Sequence, residues 1–241
     1  MIEKHKKRII PEETNAKFFS QELKPYEFAR PSVSGKIVLE LGCGDGYGAA
    51  FLAKTAKEIV AIDYDEEIVL KANKKYVVPN LKFVSMDVTN LGFKDGSFDI
   101  LCSFQVVEHI PTEKLPVYFS EIKRVLKNKG EFYVSTLNLE KNLKSPLTYE
   151  KHPDHCKEYN FEEFKNLLEG AFAEVKIYGL YLTFKHRLYL RLKKIGIFNP
   201  LPQSLNPVKR FYDKVTTDDF QVLPISRKKP IDFFAICREK A

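Results

Sequence analysis

Four glycines stand at alternate positions, 42, 44, 46 and 48, in the stretch VLELGCGDGYG that covers residues 38–48. The apolar residues before them predict a buried strand that ends at this point. Glycine has no Cβ, so the chain can turn tightly there and a ligand can come close to the backbone. The spacing favours a loop that cradles a ligand, and a tight strand-to-helix turn without a ligand is the alternative.

Two carboxylates near this loop narrow the choice of ligand. Asp63 closes the next predicted strand, 19 residues after Gly44, where an acidic residue accepts ribose hydroxyls or caps a helix. Glu40 precedes the glycines inside the first strand, and its charge would repel a pyrophosphate and attract an ammonium group. The dinucleotide-binding fingerprint G-x-G-x-x-G has its third glycine where Tyr47 or Ala49 stands here, and alanine is a tolerated variant at that position. S-adenosylmethionine has the ribose and the cation that these residues favour.

Short apolar strands alternate with helices along most of the chain. Strands are predicted at residues 36–42, 58–63, 81–87, 97–104, 131–137, 173–180 and 231–239. Helices are predicted at 47–56, 65–75, 111–127 and 160–170, with a helical region at 12–30 that is broken at Pro25. This alternation is typical of a doubly wound α/β fold with a mostly parallel sheet, whose ligands bind beyond the carboxyl ends of the strands. About 50 residues separate the last two strands, which indicates an insertion.

Five stretches, taken in order, resemble the motifs of the class I S-adenosylmethionine-dependent methyltransferases. They are VLELGCGDG, VAIDYD, VSMDV, FKDGSFDILCSFQVVEHI and EIKRVLKNKGEFYVSTLN. The resemblance covers about residues 36–180 and the last strand. It implies a Rossmann-like, mostly parallel sheet of seven strands, with the last strand antiparallel between the fifth and sixth, and S-adenosylmethionine as cofactor.

The resemblance also implies which residues contact the cofactor. Glu40 and the loop with Gly42, Cys43, Gly44 and Gly46 would hold the methionine end, and Asp63 would bind the ribose. Tyr64 would lie against the adenine face, and Asp87 and Val88 would contact the adenine edge. Phe104 and Gln105 would line the sulfonium side.

Two polar clusters are candidates for the general base that a hydroxyl acceptor needs. Glu108 and His109 lie in QVVEHI, which is similar to an E-x-x-E-H stretch that binds a divalent metal in some quinone-pathway and small-RNA methyltransferases. Because Gln105 replaces the first Glu, we predict no metal, and His109 can equally be structural. His155, with Glu158 as partner, lies in HPDHCKEY, which resembles a stretch of methyltransferases encoded with glycan-building enzymes. We expect His155 to be the base; the alternative is that this segment only caps the next helix.

The net charge of +7 is concentrated in the insertion. Residues 183–230 hold 11 Lys or Arg against three Asp or Glu. Residues 181–197 carry an apolar stripe at helical spacing with cations beside it. The stripe is Tyr181, Phe184, Leu188, Leu192 and Ile195, and the cations are Lys185, Arg187, Arg191 and Lys194. This pattern predicts either a lid over the acceptor site or a peripheral contact with an anionic membrane.

The sequence predicts one domain over residues 1–241, with residues 1–35 as an N-terminal helical cover and 181–230 as an insertion or lid. The expected activity is O-methylation of a sugar, a glycan or another small molecule, free or lipid-linked. An RNA methyltransferase and a non-catalytic S-adenosylmethionine-binding protein are the alternatives, although no RNA-binding module is visible and nucleic acid is not the expected partner. Without a signal peptide, a membrane span or paired cysteines, a cytoplasmic location is predicted.

Overall fold

A single eight-stranded sheet runs through the part of the chain that the computed structural model describes, residues 9–142, 149, 151–226 and 229–239. Its strands are β1 (Ile37–Leu41), β2 (Glu58–Asp63), β3 (Leu81–Ser85), β4 (Phe98–Phe104), β5 (Leu126–Leu137), β6 (Glu174–Leu182), β7 (Phe220–Pro224) and β8 (Asp232–Arg238). Their order in the sheet is β3-β2-β1-β4-β5-β8-β6-β7. Strands β1 to β5 pair in parallel, and β8 lies antiparallel between β5 and β6. The predicted α/β class and the position of the last strand are confirmed.

The sheet has one strand more than the seven that the sequence predicted. Strand β7 lies inside the insertion and pairs antiparallel with β6 at the edge of the sheet. Its sequence, FQVLP, is short, its last two residues are exposed, and it ends in a proline, which an edge strand tolerates. These features give little periodic signal, so the prediction placed a featureless insertion there.

Eight helices flank the sheet within the described ranges. They are α1 (Ala16–Val33), α2 (Tyr47–Ala53), α3 (Glu66–Lys75), α4 (Leu115–Val125), α5 (Leu139–Asn142), α6 (Phe161–Glu169), α7 (Phe184–Ile195) and α8 (Pro207–Tyr212). The Asp65 carboxylate caps α3 by accepting from two backbone N–H groups, and Asn160 forms a capping box with Glu163 on α6. None of the helices in these ranges is both long and apolar enough to cross a bilayer.

The predicted break at Pro25 is wrong, because α1 runs as one helix through this residue. A proline inside a helix removes one hydrogen bond and costs about 3 kcal/mol. Burial offsets this cost, since Tyr26, Ala29 and Val33 form a helical stripe that packs against the sheet. Tertiary contacts that local sequence does not display therefore hold α1 in place.

Two apolar cores sandwich the sheet. Helices α1, α2 and α3 pack on one face, and α4 and α6 pack on the other. A third, smaller core joins α7 and α8 to the edge formed by β6 and β7. Since β1, β2, β4 and β5 are parallel, the loops that follow them meet at one edge of the sheet, where the predicted functional residues lie.

Candidate active site

A cavity of about 990 Å³ opens at the carboxyl ends of β1, β2, β4 and β5. This volume is at the upper end of small-molecule sites, so a cofactor and a small acceptor fit together. Its wall includes most of the predicted site residues, namely Gly42, Cys43, Gly44, Asp63, Tyr64, Asp87, Val88, Phe104, Gln105, Glu108, His109 and His155. Two predicted residues, Glu40 and Gly46, do not line it.

The glycines of the loop serve different purposes. Gly42, Gly44 and Gly46 all have positive φ, at 72°, 52° and 93°. A Cβ at Gly42 would come within 2.6 Å of Val106, and one at Gly46 within 2.7 Å of Phe83. A Cβ at Gly44 would meet no atom within 4 Å, and Gly44 lines the cavity. Gly44 therefore leaves room for a ligand, whereas Gly42 and Gly46 allow the protein itself to pack closely.

Asp63 ties the glycine loop to the end of β2. Its Oδ2 accepts from the Gly44 N–H at 3.0 Å, and its Oδ1 accepts from the Asp65 N–H at 3.1 Å. Each carboxylate oxygen has a second lone pair, so both oxygens can also accept from a ribose. Tyr64, next in the chain, is exposed and lines the cavity, as a residue that stacks on an adenine would.

Glu40 is buried behind the cavity wall rather than in it. Its Oε1 accepts from the Tyr26 hydroxyl at 2.6 Å, and its Oε2 has no hydrogen-bond partner among the described residues. Burial raises the pKa of Glu40 to about 8. Glu40 is therefore mostly protonated at neutral pH, and a cation bound nearby would favour its ionised form, with Tyr26 forming the surface that the ligand meets.

The predicted adenine and sulfonium sides occupy the loops after β3 and β4. Asp87 accepts from the backbone N–H and the hydroxyl of Thr89, and the backbone bond holds the pKa of Asp87 below its usual range. Gln105 adopts a φ of 55°, an uncommon conformation for a residue with a side chain. Its backbone N–H donates to Ser135 in the neighbouring strand, which holds this conformation at the cavity wall.

Glu108, His109 and His155 form a cluster in the cavity wall, where Glu108 and His109 closely follow Phe104 and Gln105 in the chain. One ligand atom of each residue lies within 4.8 Å of the others. His109 Nδ1 donates to the Asp154 carbonyl at 2.9 Å, and His155 Nδ1 is bonded to Glu158 Oε1 at 2.6 Å. With its Nδ1 engaged, His155 presents Nε2 as the ring atom that can take a substrate proton.

Burial sets the protonation of this cluster. It lowers the pKa of His155 to about 4, and His109 and His152 add to the effect. It raises the pKa of Glu158, and it raises that of Glu108 to about 8. At neutral pH, His155 is therefore an uncharged imidazole, the form that can accept a proton.

Sequence reasoning missed the acceptor-side residues of α1 and β8. Gln21 Nε2 donates to Asp232 Oδ2 at 2.9 Å, and both line the cavity beside Glu22. Burial raises the pKa of Asp232 to about 7, and burial together with Asp232 and Glu108 raises that of Glu22. No local signal singled out Asp232, because Glu58 and Glu174 also stand at the start of strands. The N-terminal cover was predicted, but not its contacts.

The insertion does not close the cavity. None of its described residues, 181–226 and 229–230, belongs to the cavity wall. The lid over the acceptor site therefore stays a prediction that the described cavity wall does not support. Helix α1 occupies that position, since Phe18, Gln21, Glu22 and Tyr26 all line the cavity.

A glycine loop after β1, an acidic residue after β2 and the sheet order together define a Rossmann-like protein with a nucleoside cofactor. The family model of a methyltransferase domain, Methyltransf_11, matches residues 39–134. A probable S-adenosylmethionine-dependent methyltransferase of Mycobacterium tuberculosis is 32% identical over 160 residues, which is 65% of this chain and 56% of that protein. Phosphoethanolamine N-methyltransferase 1 of Triticum aestivum is 28% identical over 204 residues, 76% of this chain and 40% of that protein.

The fold is also similar to the folds of solved structures. The S-adenosylmethionine-dependent methyltransferase from Mesorhizobium loti superposes with a TM-score of 0.60 at 14% identity, covering 91% of this chain and 98% of that one. Residues 39–134 therefore form a methyltransferase domain of the class I S-adenosylmethionine-dependent type, for which S-adenosylmethionine is the cofactor. The chain spans about half the length of the mycobacterial relatives that it matches.

Proposed function

We propose that the chain transfers a methyl group from S-adenosylmethionine to a hydroxyl group of a sugar, a glycan or another uncharged small molecule. The observation that carries the proposal is an uncharged imidazole, His155, in the same cavity as the cofactor residues. Bound S-adenosylmethionine supplies a methyl group on a good leaving group. The protein must then position the acceptor and remove its proton.

His155 is the residue suited to take that proton. A hydroxyl is a weak nucleophile, and it needs a base within hydrogen-bond reach when it attacks. His155 Nε2 provides the lone pair, while the bond between Nδ1 and Glu158 orients the ring and stabilises the positive charge that the ring gains.

The charge of the cavity supports an uncharged acceptor. Glu22, Glu108 and Asp232 line the acceptor side, whereas Lys114 is the only lysine or arginine among the described lining residues. Lys114 lowers the pKa of Asp87, so it lies towards the predicted adenine edge. A carboxylate or phosphate bound beside Glu108 and Asp232 would find no compensating cation next to it among the described lining residues, and it would raise the cost of ionising them further. This distribution disfavours an RNA acceptor.

An amine is a second candidate acceptor, which the same acidic wall favours. Carboxyl groups with raised pKa values ionise when a cation binds beside them. The name of the wheat relative, a phosphoethanolamine N-methyltransferase, describes an amine acceptor. An amine that reacts as the free base has a nucleophilic lone pair and does not depend on His155 in the same way.

The test is a transfer assay with methyl-labelled S-adenosylmethionine and a panel of free sugars, lipid-linked sugars, amines and RNA. With a hydroxyl acceptor, His155→Asn should lower kcat by about a hundredfold or more and leave cofactor affinity unchanged. His152→Asn is the matched control, because His152 is an exposed neighbour whose ring lies 4.7 Å from that of His155. A drop of only a few fold in His155→Asn would contradict the role as base.

Three other results would each point elsewhere. Loss of activity with a chelator, restored by a divalent cation, would assign Glu108, His109 and His155 to a metal site, for which their spacing is suitable. Transfer only to amines, unaffected by His155→Asn, would favour N-methylation. Tight cofactor binding without product across the panel would favour a non-catalytic binding protein.

A further inference from the structure

We propose that the hairpin formed by residues 184–214, which contains α7 and α8, binds to the surface of an anionic lipid bilayer. This α7–α8 hairpin lies outside the cavity, so its binding is a property separate from the proposed reaction.

The inner side of the hairpin is fixed to the protein by aromatic packing. His186 is fully buried, and its ring contacts Phe211 and Phe220 edge-on. Tyr189 stacks on Phe211 with ring centroids 4.2 Å apart. Helix α7 therefore has a defined orientation, and the side opposite His186 faces solvent.

That outer side carries an unusual amount of apolar surface. Phe184, Leu188 and Ile195 lie on one stripe of α7 and are 72%, 45% and 69% exposed. Ile197 and Leu205 continue the surface beyond Gly196, at 67% and 66% exposed. Six of the twelve large apolar side chains that are exposed in the described part of the chain fall within residues 184–205. Concentrated apolar exposure of this kind marks an interaction surface. The predicted members Tyr181 and Leu192 do not belong to it, because Tyr181 is buried and Leu192 is half-buried.

Cations accompany the apolar stripe. The hairpin holds eight Lys or Arg and one Asp. Two of the cations contact the protein, since Lys185 pairs with Asp219 at 3.4 Å and Arg187 donates to the Leu182 carbonyl. Others are exposed and form no ion pair with any described residue, namely Arg191, Lys194, Lys209 and Arg210. An amphipathic helix with exposed apolar residues and nearby Lys and Arg is typical of a segment that lies in a membrane interface.

An anionic bilayer satisfies both halves of this surface. A second copy of the chain, meeting the same surface across a two-fold axis, would bring the cations of both copies together. RNA would pair with the cations and leave the stripe of Phe184, Leu188 and Ile195 in water. Lipid headgroups neutralise the cations while the acyl boundary covers the apolar side chains.

The hairpin lies beside α1, because the Ser20 hydroxyl donates to the carbonyl of Val215, the residue that follows the hairpin, at 3.1 Å. Burial and the nearby charge of Lys193 on α7 lower the pKa of Lys17, at the start of α1. Phe18, the next residue, is partly exposed and lines the cavity. If the proposed function holds, a membrane-bound hairpin therefore brings the cavity close to an acceptor carried by a lipid.

The test measures co-sedimentation of the full chain with vesicles of phosphatidylcholine and 30% phosphatidylglycerol (about one anionic lipid in three), compared with pure phosphatidylcholine. The parent protein should bind the anionic vesicles at low salt and lose most of this binding at high salt. Replacing Arg191, Lys194, Lys209 and Arg210 by Gln should weaken binding on the order of a hundredfold. Replacing Phe184, Leu188 and Ile195 by Ser should weaken it by about tenfold or more.

Matched controls separate this surface from general effects of charge and apolar area. Lys74→Gln with Lys82→Gln removes exposed cations elsewhere, and Leu70→Ser with Val77→Ser removes exposed apolar side chains elsewhere. Both controls should bind vesicles like the parent, and all variants should keep the parent's cofactor affinity. No binding of the parent to anionic vesicles at low salt would overturn the proposal, as would equal losses in the controls. Self-association through the hairpin without vesicle binding would overturn the proposal in favour of a second copy of the chain. RNA binding that the Gln variant abolishes, again without vesicle binding, would overturn it in favour of RNA.

Discussion

The role of Gly44 can be tested by comparing two alanine substitutions that strain the backbone equally. Gly44 has a φ of 52° and Gly35 a φ of 70°, and a Cβ at either position would meet no atom within 4 Å. Gly44 lines the cavity, whereas Gly35 lies between α1 and β1 and does not. The two substitutions therefore differ mainly in whether the new methyl group projects towards a ligand.

The expected magnitudes follow from this geometry. An alanine held in the left-handed region costs about 1–2 kcal/mol. In a chain of this size each kcal/mol lowers the melting temperature by about 2–4 °C, so both variants should melt slightly below the parent. For Gly44→Ala, the added methyl group prevents the close approach of the cofactor. We expect its affinity to fall by about tenfold or more, which corresponds to at least about 1.4 kcal/mol, while Gly35→Ala binds as the parent does.

Isothermal titration calorimetry with S-adenosylmethionine and thermal melting without ligand measure the two quantities separately. Equal losses of stability with unequal cofactor affinity would support the assignment. If Gly44→Ala bound S-adenosylmethionine as tightly as Gly35→Ala, the glycine would be required only for the turn, and the cofactor would not approach this part of the loop. Such a result would refute the reasoning from residues 42–48.

Three further predictions concern carboxylates. Asp63→Asn keeps the size of the side chain but removes its charge and one acceptor, so cofactor affinity should fall by about tenfold to a hundredfold, as calorimetry can show. Because burial raises the folded-state pKa of Glu40 from 4.5 to about 8, the folded chain holds a proton that the unfolded chain releases between these values. The free energy of unfolding should therefore fall by at most about 5 kcal/mol as pH rises through this window, and it should level off above pH 8. Urea unfolding of Glu40→Gln over the same pH range should show a smaller fall. Glu158→Gln should lower kcat for a hydroxyl acceptor by about tenfold or more with little change in KM, since it removes the charge that stabilises protonated His155. An unchanged kcat would exclude a role for Glu158 as the partner of His155.

Local sequence signals were sufficient for the cofactor half of the site. The glycine loop, Asp63 and the residues after β3 and β4 all follow apolar strands whose boundaries are visible in the sequence. Parallel strands bring their carboxyl ends to one edge, so predicting the strands also predicts the approximate positions of these residues. Glu40 shows the limit of this reasoning, because its side chain is separated from the cavity by Tyr26 of the preceding helix α1, a contact that the strand pattern does not reveal.

The acceptor half depends on contacts between distant parts of the chain. Gln21 and Asp232 are 211 positions apart, and their hydrogen bond forms only because α1 packs beside the start of β8. Neither residue belongs to a recognisable motif, so no local pattern indicated them. The lid prediction shows a related limit: periodicity identified an amphipathic helix at α7, but periodicity does not say which neighbour covers its apolar side.

The histidine cluster illustrates how topology creates a site from two unremarkable segments. His109 follows β4 and His155 lies in the segment after β5, and these strands are hydrogen-bonded neighbours in parallel. Their pairing brings the two imidazole rings to 4.8 Å between centroids, although 46 positions separate them in the chain. The same edge holds the loop after β1, because β1 pairs with β4 on its other side. Under the proposed function, the strand order β1-β4-β5 brings the base and the methyl donor to one edge of the sheet, and α1 and β8 supply further residues of the same cavity wall.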